Sequence, residues 1–326
     1  MIVKQYPKIV YMGTPDFAVA PLRALVDGGF NVVGVVTMPD KPAGRGMQVQ
    51  YSPVKAYALA HNLSLLQPEK LKDVTFLDAL KAWEADLQIV VAFRMLPEVV
   101  WNMPQLGTFN LHASLLPHYR GAAPINWAII NGETETGITT FFLTHEIDTG
   151  QVIDQVKIPI ADTDNAEIVH DKLMNLGAEL VVKTVKAIAK NAVQPIEQET
   201  MGVEVRDLRP APKIFKETCR IDWNRPVKEI YDFIRGLSPY PAAWTELTTN
   251  KGEVWSLKIF ETEKIFEPAD VFRKRHLPPA TIVTDGKKFM DVAAQDGFIR
   301  LKSVQQAGKK RLPIADFICG KAASLR

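Results

Sequence analysis

Lys8-Ile9-Val10-Tyr11-Met12-Gly13-Thr14-Pro15-Asp16-Phe17 is the stretch whose reading decides the fold. A short apolar run closes on Gly13, and a helical pattern over residues 17–26 follows, ended by Gly28 and Gly29. That is a strand, a tight turn and a helix. The unit then repeats with variations. A β-branched run over residues 31–37 leads through a long loop to helical patterns at 53–61 and 74–84. Residues 87–93 and 107–112 read as two further buried strands. Near-continuous Val/Ile runs separated by helices imply a parallel sheet covered on both faces. The expectation is an α/β fold, a doubly wound Rossmann-like parallel sheet. The first turn also excludes one use of that fold. It has a single glycine where a dinucleotide fingerprint needs three, and Pro15 and Asp16 would meet a pyrophosphate with a rigid ring and a negative charge.

Further along, residues 139–144 and 151–160 look like additional strands on either side of Asp148-Thr149-Gly150. A long helix is predicted over 165–190, capped by Asp164 or Thr163. Its Val169, Leu173, Leu176 and Leu180 form one apolar stripe suited to core packing. Periodicity fades after Asn191, where Pro195, Pro210 and Pro212 punctuate a polar segment. Beyond it come one helical pattern, 226–237, and short runs at 243–248, 254–260, 280–284 and 298–304. These suggest a small β-barrel (OB-like) C-terminal domain. The expected organisation is a catalytic domain over residues 1–190, a linker over 191–210 and a basic β-barrel domain over 211–326.

Charge sharpens this division. Residues 1–208 carry 17 Lys and Arg against 23 Asp and Glu; residues 209–326 carry 22 against 14, within a chain of net charge +2. A basic part appended to an acidic one is consistent with a nucleic-acid surface, and equally with a basic domain that only stays soluble. The two cysteines, Cys219 and Cys319, can make neither a disulfide framework nor a metal cluster, and read as free thiols of a reducing cytosol. With no apolar run near the roughly 20 residues that span a bilayer, a cytoplasmic protein without membrane association is expected.

The densest chemistry lies in Phe109-Asn110-Leu111-His112-Ala113-Ser114-Leu115-Leu116-Pro117-His118-Tyr119-Arg120-Gly121-Ala122-Ala123-Pro124-Ile125. Asn110 and His112 share one face at the end of a predicted parallel strand, where open α/β sheets place ligands. An amide beside an imidazole there suits acyl transfer, the imidazole moving a proton and the amide steadying an oxyanion. Capping and turn formation would use the same two residues. Asp148, on a glycine-ended turn, can orient an imidazole and favour its cation, or simply close an Asx turn. The loop from Thr37 to Met47 carries Lys41 and Arg45 among two prolines and two glycines, a solvated loop or one that presents cations to a phosphate backbone or base edge. His61, His145, His170 and His276 have no metal-site spacing, and no metal is expected. His118 adjoins the dense segment, as a substrate contact or a surface residue.

His112 through Ile125 resembles the signature of the N10-formyltetrahydrofolate-dependent formyltransferases. Met12-Gly13-Thr14-Pro15-Asp16-Phe17, Pro39-Asp40-Lys41-Pro42-Ala43-Gly44-Arg45-Gly46, Ser52-Pro53-Val54-Lys55 and Gln67-Pro68-Glu69-Lys70-Leu71 are similar to the tRNA-acting branch of that family. So are Ile221-Asp222-Trp223 and Ile234-Arg235-Gly236-Leu237-Ser238-Pro239, so both domains are covered. The resemblance implies transfer of a formyl group from 10-formyltetrahydrofolate to the α-amino group of methionyl-initiator tRNA, in translation initiation, by a monomer. It makes Asn110, His112 and Asp148 the catalytic trio. Ser114, Leu115, Leu116, Pro117, Ala92 and Phe93 line the folate site by the same likeness, and Lys41 and Arg45 meet the tRNA, Arg45 discriminating the initiator. Two positions depart from the pattern: Ala92-Phe93-Arg94 stands where the branch has an A-Y-G type of stretch, and Gln151 where Asp is frequent. An enzyme acting on glycinamide ribonucleotide would leave the basic C-terminal part idle, and one acting on an amino-sugar nucleotide would have no use for the Lys41/Arg45 loop.

Overall fold

The computed structural model describes residues 6–43, 48–249, 251–266 and 277–321. The opening stretch forms β1 (Ile9–Gly13), a single 3₁₀ turn over Asp16–Ala18 and α1 (Val19–Asp27). Then follow β2 (Val32–Val36), β3 (Lys41–Ala43), β4 (Gln48–Gln50), α2 (Pro53–Ala60), β5 (Leu65–Leu66), α3 (Val74–Ala82), β6 (Leu87–Val91), α4 (Glu98–Trp101) and β7 (Thr108–His112). Next come α5 (Pro124–Ile130), β8 (Glu135–Phe142), β9 (Val152–Pro159) and α6 (Ala166–Ala189). The C-terminal part contains α7 (Val227–Leu237), β10 (Ala243–Thr248), β11 (Val254–Ile265), β12 (Ile282–Thr284), β13 (Met290–Ala293), β14 (Phe298–Gln306), β15 (Arg311–Pro313) and α8 (Ile314–Cys319).

The first sheet has seven strands in the order β5-β2-β1-β6-β7-β8-β9. Its pairs from β5 to β7 are parallel, as the apolar runs require, and all five residues of β1 and of β6 are buried. From β7 onward the parallel pattern stops, because β8 runs antiparallel to it. A connection through one short helix, α5, returns the chain against its previous direction. The chain builds outward from β1 to β5 on one side and then restarts at β6 on the other. This reversal makes the crevice beyond the carboxyl ends of β1 and β6 a topological switch point, where such sheets bind ligands.

Helix α6 confirms the stripe only in part. Val169, Leu173 and Leu180 are buried, but Leu176 is half exposed, and the closest approach is made by Gly177. A Cβ at Gly177 would lie 2.8 Å from both Ile138 and Leu111 side chains, so only glycine lets the helix sit this near the sheet. The cap also differs from the expectation. Asn165 Oδ1 accepts from the Ile168 amide at 2.9 Å, which is N-cap geometry, whereas Asp164 turns back to the Ala161 amide.

Spatially the chain divides into two units. The first comprises residues 1–121, 137–158 and 170–210; the second comprises 122–136, 159–169 and 211–326. The second unit holds an antiparallel sheet, order β10-β11-β14-β13-β12 with β15 beside β14, curled into a half-barrel around α7 and α8. Its core joins Val227, Ile230, Ile234 and Leu237 of α7 to Trp255, Leu257, Ile299, Leu301 and Phe317. Arg235, 7% exposed, donates to Asp232 Oδ1 at 2.7 Å and to the Asp164 carbonyl at 2.7 Å, tying residues 159–169 to this unit. Strand β13 was not foreseen, since Asp291 interrupts its apolar run. Its neighbour in the ladder, Arg300, neutralises that carboxylate with bonds of 2.8 and 2.9 Å.

Candidate active site

Strand β7 delivers Asn110 and His112 to the carboxyl end of the sheet. Opposite them across the antiparallel pair stand Phe141 and Thr139, and on the other side Asn110 pairs with Val90 of β6. His112 is 7% exposed and its ring meets the Phe141 ring edge-on. Its Nε2 lies 2.8 Å from the Tyr119 carbonyl oxygen. A carbonyl can only accept, so Nε2 carries a proton whatever the charge of the ring. Nδ1 is therefore the nitrogen that gains and loses a proton. It faces Asp148 Oδ2 at 3.8 Å, too far for a direct hydrogen bond.

Asp148 itself adopts a left-handed backbone, φ 56°, which Asp tolerates better than most residues. Its Oδ2 accepts from the Gly121 amide at 2.9 Å. The turn is pressed against the sheet at Gly150, where a Cβ would fall 1.7 Å from the Phe142 carbonyl oxygen. On the remaining side stands Gln198, 1% exposed, whose Nε2 donates to the Asp148 carbonyl at 2.9 Å and the Gly150 carbonyl at 2.8 Å. Arg120 completes the arrangement by donating Nε and Nη2 to Gln198 Oε1 at 3.0 and 2.7 Å. The sequence reading passed over Gln198 because it sits in a polar, aperiodic segment. That segment is bound to the first sheet: Ile196 and Val152 exchange two backbone hydrogen bonds, each 2.8 Å.

The other expected site residues fall in three places. Ser114, Leu116 and Pro117 are buried just beyond β7, and Leu115 is half-buried. Thr139 Oγ1 is their anchor: it donates to the Ser114 carbonyl at 2.6 Å and accepts from the Leu116 amide at 3.3 Å. Ala92 and Phe93 follow β6 at the same end of the sheet; Ala92 is exposed with φ 46°, and Phe93 packs, partly buried, against the core cluster to which Leu96 and Val100 belong. Arg94 turns its guanidinium away to the Pro68 and Glu69 carbonyls, so its cation serves the 67–71 loop. Lys41 opens β3, and Arg45 lies outside the described residues. The root of their loop is clamped at Asp40, which accepts from Lys55 and from Gln67 at 2.9 Å. The hydrogen bond from Lys55, with that from Gln67, holds the Asp40 carboxyl below the ordinary carboxylate range. Among the described residues no group of three or more His, Cys, Asp or Glu could hold a metal ion, and no helix is long and apolar enough to cross a membrane. His61, His145 and His170 have local partners, whereas His118 keeps a buried Nδ1 without one; His276 is outside the described residues.

Comparison with known proteins places this geometry. A family profile described as "Formyl transferase" matches residues 7–185, and one described as "Formyl transferase, C-terminal domain" matches residues 213–322. The methionyl-tRNA formyltransferase of Bacteroides thetaiotaomicron is 69% identical over 97% of this chain and 96% of its own length. This chain belongs to the methionyl-tRNA formyltransferase family. The relative from Parabacteroides distasonis is 64% identical over the same shares, and that from Porphyromonas gingivalis is 49% identical over 98% of each chain. Among solved structures, HypX from Aquifex aeolicus in complex with tetrahydrofolic acid aligns with TM-score 0.63 at 17% identity. It covers 97% of this formyltransferase, which spans 47% of the HypX chain. The N-formyltransferase from Helicobacter canadensis, in complex with folinic acid and dTDP-3-aminofucose, aligns with TM-score 0.61 at 18% identity, covering 92% and 99% of the two chains. At such identities these two show the shared fold: a Rossmann-like α/β domain followed by a half-barrel domain.

Proposed function

We propose that this protein moves the formyl group of 10-formyltetrahydrofolate onto the α-amino group of methionyl-initiator tRNA in translation initiation, acting as a cytoplasmic monomer. The observation that carries the reading is the approach of His112 Nδ1 to Asp148 Oδ2, 3.8 Å, with Asn110 two residues earlier on the same strand. An α-amine, with an ordinary pKa of about 7.7–8.0, is partly neutral near pH 7 and needs no strong base. It attacks the formyl carbon, and the carbonyl oxygen gathers negative charge. The Asn110 amide, with the Nδ1–H of cationic His112, stabilises that oxyanion, a contribution of roughly 3–4 kcal/mol per key donor. The intermediate collapses by re-forming the carbonyl and breaking the bond from the formyl carbon to N10, and the proton that the attacking amine sheds ends on N10 as the folate leaves. Asp148 offsets the cation on His112 while Tyr119 fixes the ring through the other nitrogen.

In this reading Ser114, Leu115, Leu116 and Pro117, with Ala92 and Phe93, shape the folate side of the site. Lys41 and Arg45 meet the acceptor stem. Residues 1–190 supply the chemistry, 191–210 connect while lying against the first sheet, and the basic residues 211–326 hold the tRNA. The test is formylation of charged initiator tRNA by the purified protein, with free methionine and an amino-sugar nucleotide as control acceptors. Product on the tRNA alone supports the proposal. Faster transfer to the amino sugar would overturn the choice of acceptor.

A further inference from the structure

Gln198 lies 50 residues after Asp148 in the sequence, in a segment whose helical structure is limited to 3₁₀ turns over Gln198–Thr200 and Val205–Asp207, yet it is 1% exposed and its amide is fully used. Both ends of the Asp148-Thr149-Gly150 turn are held by its Nε2, at the carbonyls of Asp148 and Gly150. Its Oε1 is held in turn by the Arg120 guanidinium. The residues flanking Arg120 bind the two catalytic side chains directly: the Tyr119 carbonyl takes His112 Nε2, and the Gly121 amide gives to Asp148 Oδ2. The contacts close a ring from His112 through residues 119–121 to Gln198, on to the Asp148 backbone, and back across 3.8 Å to His112.

Within this ring the Asp148 carboxylate accepts from the Gly121 amide and takes no direct bond from His112. Its place therefore depends on the backbone beneath it, which is held at φ 56°. A backbone in that region reverts readily unless its surroundings determine it. We propose that Gln198, braced by Arg120, is a positioning residue for the formyl-transfer reaction, holding the Asp148 turn so that the carboxylate faces His112 Nδ1. This rests on the reading of His112 and Asp148 under "Proposed function".

The test uses the full-length protein with Gln198→Ala and Gln198→Glu, each made alone and together with Asp148→Asn. Glutamate nearly matches glutamine in volume and keeps an acceptor for Arg120, but offers no donor to the two carbonyls. Thermal unfolding first identifies which variants fold; if the alanine variant does not, the glutamate variant carries the same measurements. The expected result is a fall in kcat of about 10- to 100-fold, the scale of displacing a reacting group by roughly an ångström. KM for the folate and for the charged tRNA should stay within about twofold, since the Gln198 side chain is 1% exposed and its amide is already used within the protein. The His112 ring resonances, followed by NMR at one pH, should shift from their wild-type positions, because the carboxylate that faces Nδ1 at 3.8 Å is displaced. In the Asp148→Asn background the Gln198 substitutions should lower kcat no further. Equal losses in both backgrounds, or a folded variant with wild-type kcat and wild-type His112 resonances, would overturn the proposal. Should the wild type fail to formylate tRNA, the functional reading falls, while the His112 resonances still decide whether Gln198 places the carboxylate.

Discussion

The two large sheets of this protein use polar residues in opposite ways. Every residue of β1 and β6 is buried, and their few polar side chains bond inside the protein: Tyr11 donates to the Ala18 carbonyl at 2.6 Å, and Gln88 accepts from Thr108 at 3.2 Å. The polar groups of the site gather at and beyond the carboxyl end of β7, at His112, Asp148, Gln198 and Arg120. Strand β10 of the half-barrel alternates buried with exposed residues, and β11 begins in the same way. Its outward face carries charge along its length, with Glu263 and Lys302 paired at 3.0 Å in the open. A sheet covered on both faces concentrates chemistry at one edge, where each polar group has several partners. One with a solvated face distributes charge broadly, and each charge has few.

The contrast can be tested by substitution, beginning where it predicts the largest loss. His112→Ala, Asn110→Ala and Asp148→Ala should each lower kcat by at least about 100-fold without unfolding the protein, as expected for loss of an acid–base group or an oxyanion donor. Near-normal turnover in folded His112→Ala would remove the mechanism. Gly150→Ala comes next. With the new Cβ 1.7 Å from the Phe142 carbonyl, the turn has to shift, at a cost of about 1–3 kcal/mol in stability and with a clear loss of turnover. Chemical denaturation and kcat measured on the same preparation would show both, and wild-type values for the two would mean that the turn has slack.

The loop cations should show a different signature. Arg45→Ala and Arg45→Lys should both retain folate binding and lose about 1–3 kcal/mol of discrimination between initiator and other methionyl-tRNAs, the scale of one directional base contact. If Arg45→Lys keeps the wild-type rate ratio on the two tRNAs, the contact is to phosphate alone. Smallest of all should be the effect of Lys302→Ala. Both partners of this ion pair are 51% exposed, and surface pairs contribute about 0–1 kcal/mol. A loss beyond that range in urea unfolding would show that the outward face of the half-barrel is less independent than its pattern implies.

The sequence was most legible where a residue's neighbours are close along the chain. The apolar runs of the first sheet were readable because burial on both faces leaves no alternation to confuse. Asn110 and His112 were readable as a pair because strand period alone puts them on one face. The half-barrel was readable through its short strand-like runs, except at β15 and at β13, where Asp291 needs Arg300 from another strand to make sense. Gln198 was hidden for a similar reason. Its partners, Asp148, Gly150 and Arg120, are 48 to 78 residues away, and no local pattern announces them. The strand β8 was foreseen in part, over residues 139–144, but its antiparallel direction was hidden from a reading that expected helices to return the chain in parallel.

The division of the chain into interleaved units has a consequence for synthesis. Residues 122–136 and 159–169 belong spatially with residues 211–326, which follow them out of the ribosome. At roughly 5–20 residues per second, several seconds separate Trp127 from its partner, the Pro212 carbonyl 2.8 Å from its Nε1. The lock on Asp148 also waits, until Gln198 emerges. A nascent chain that stops short of that residue has made His112 and Asp148 but not the amide that holds the turn between them.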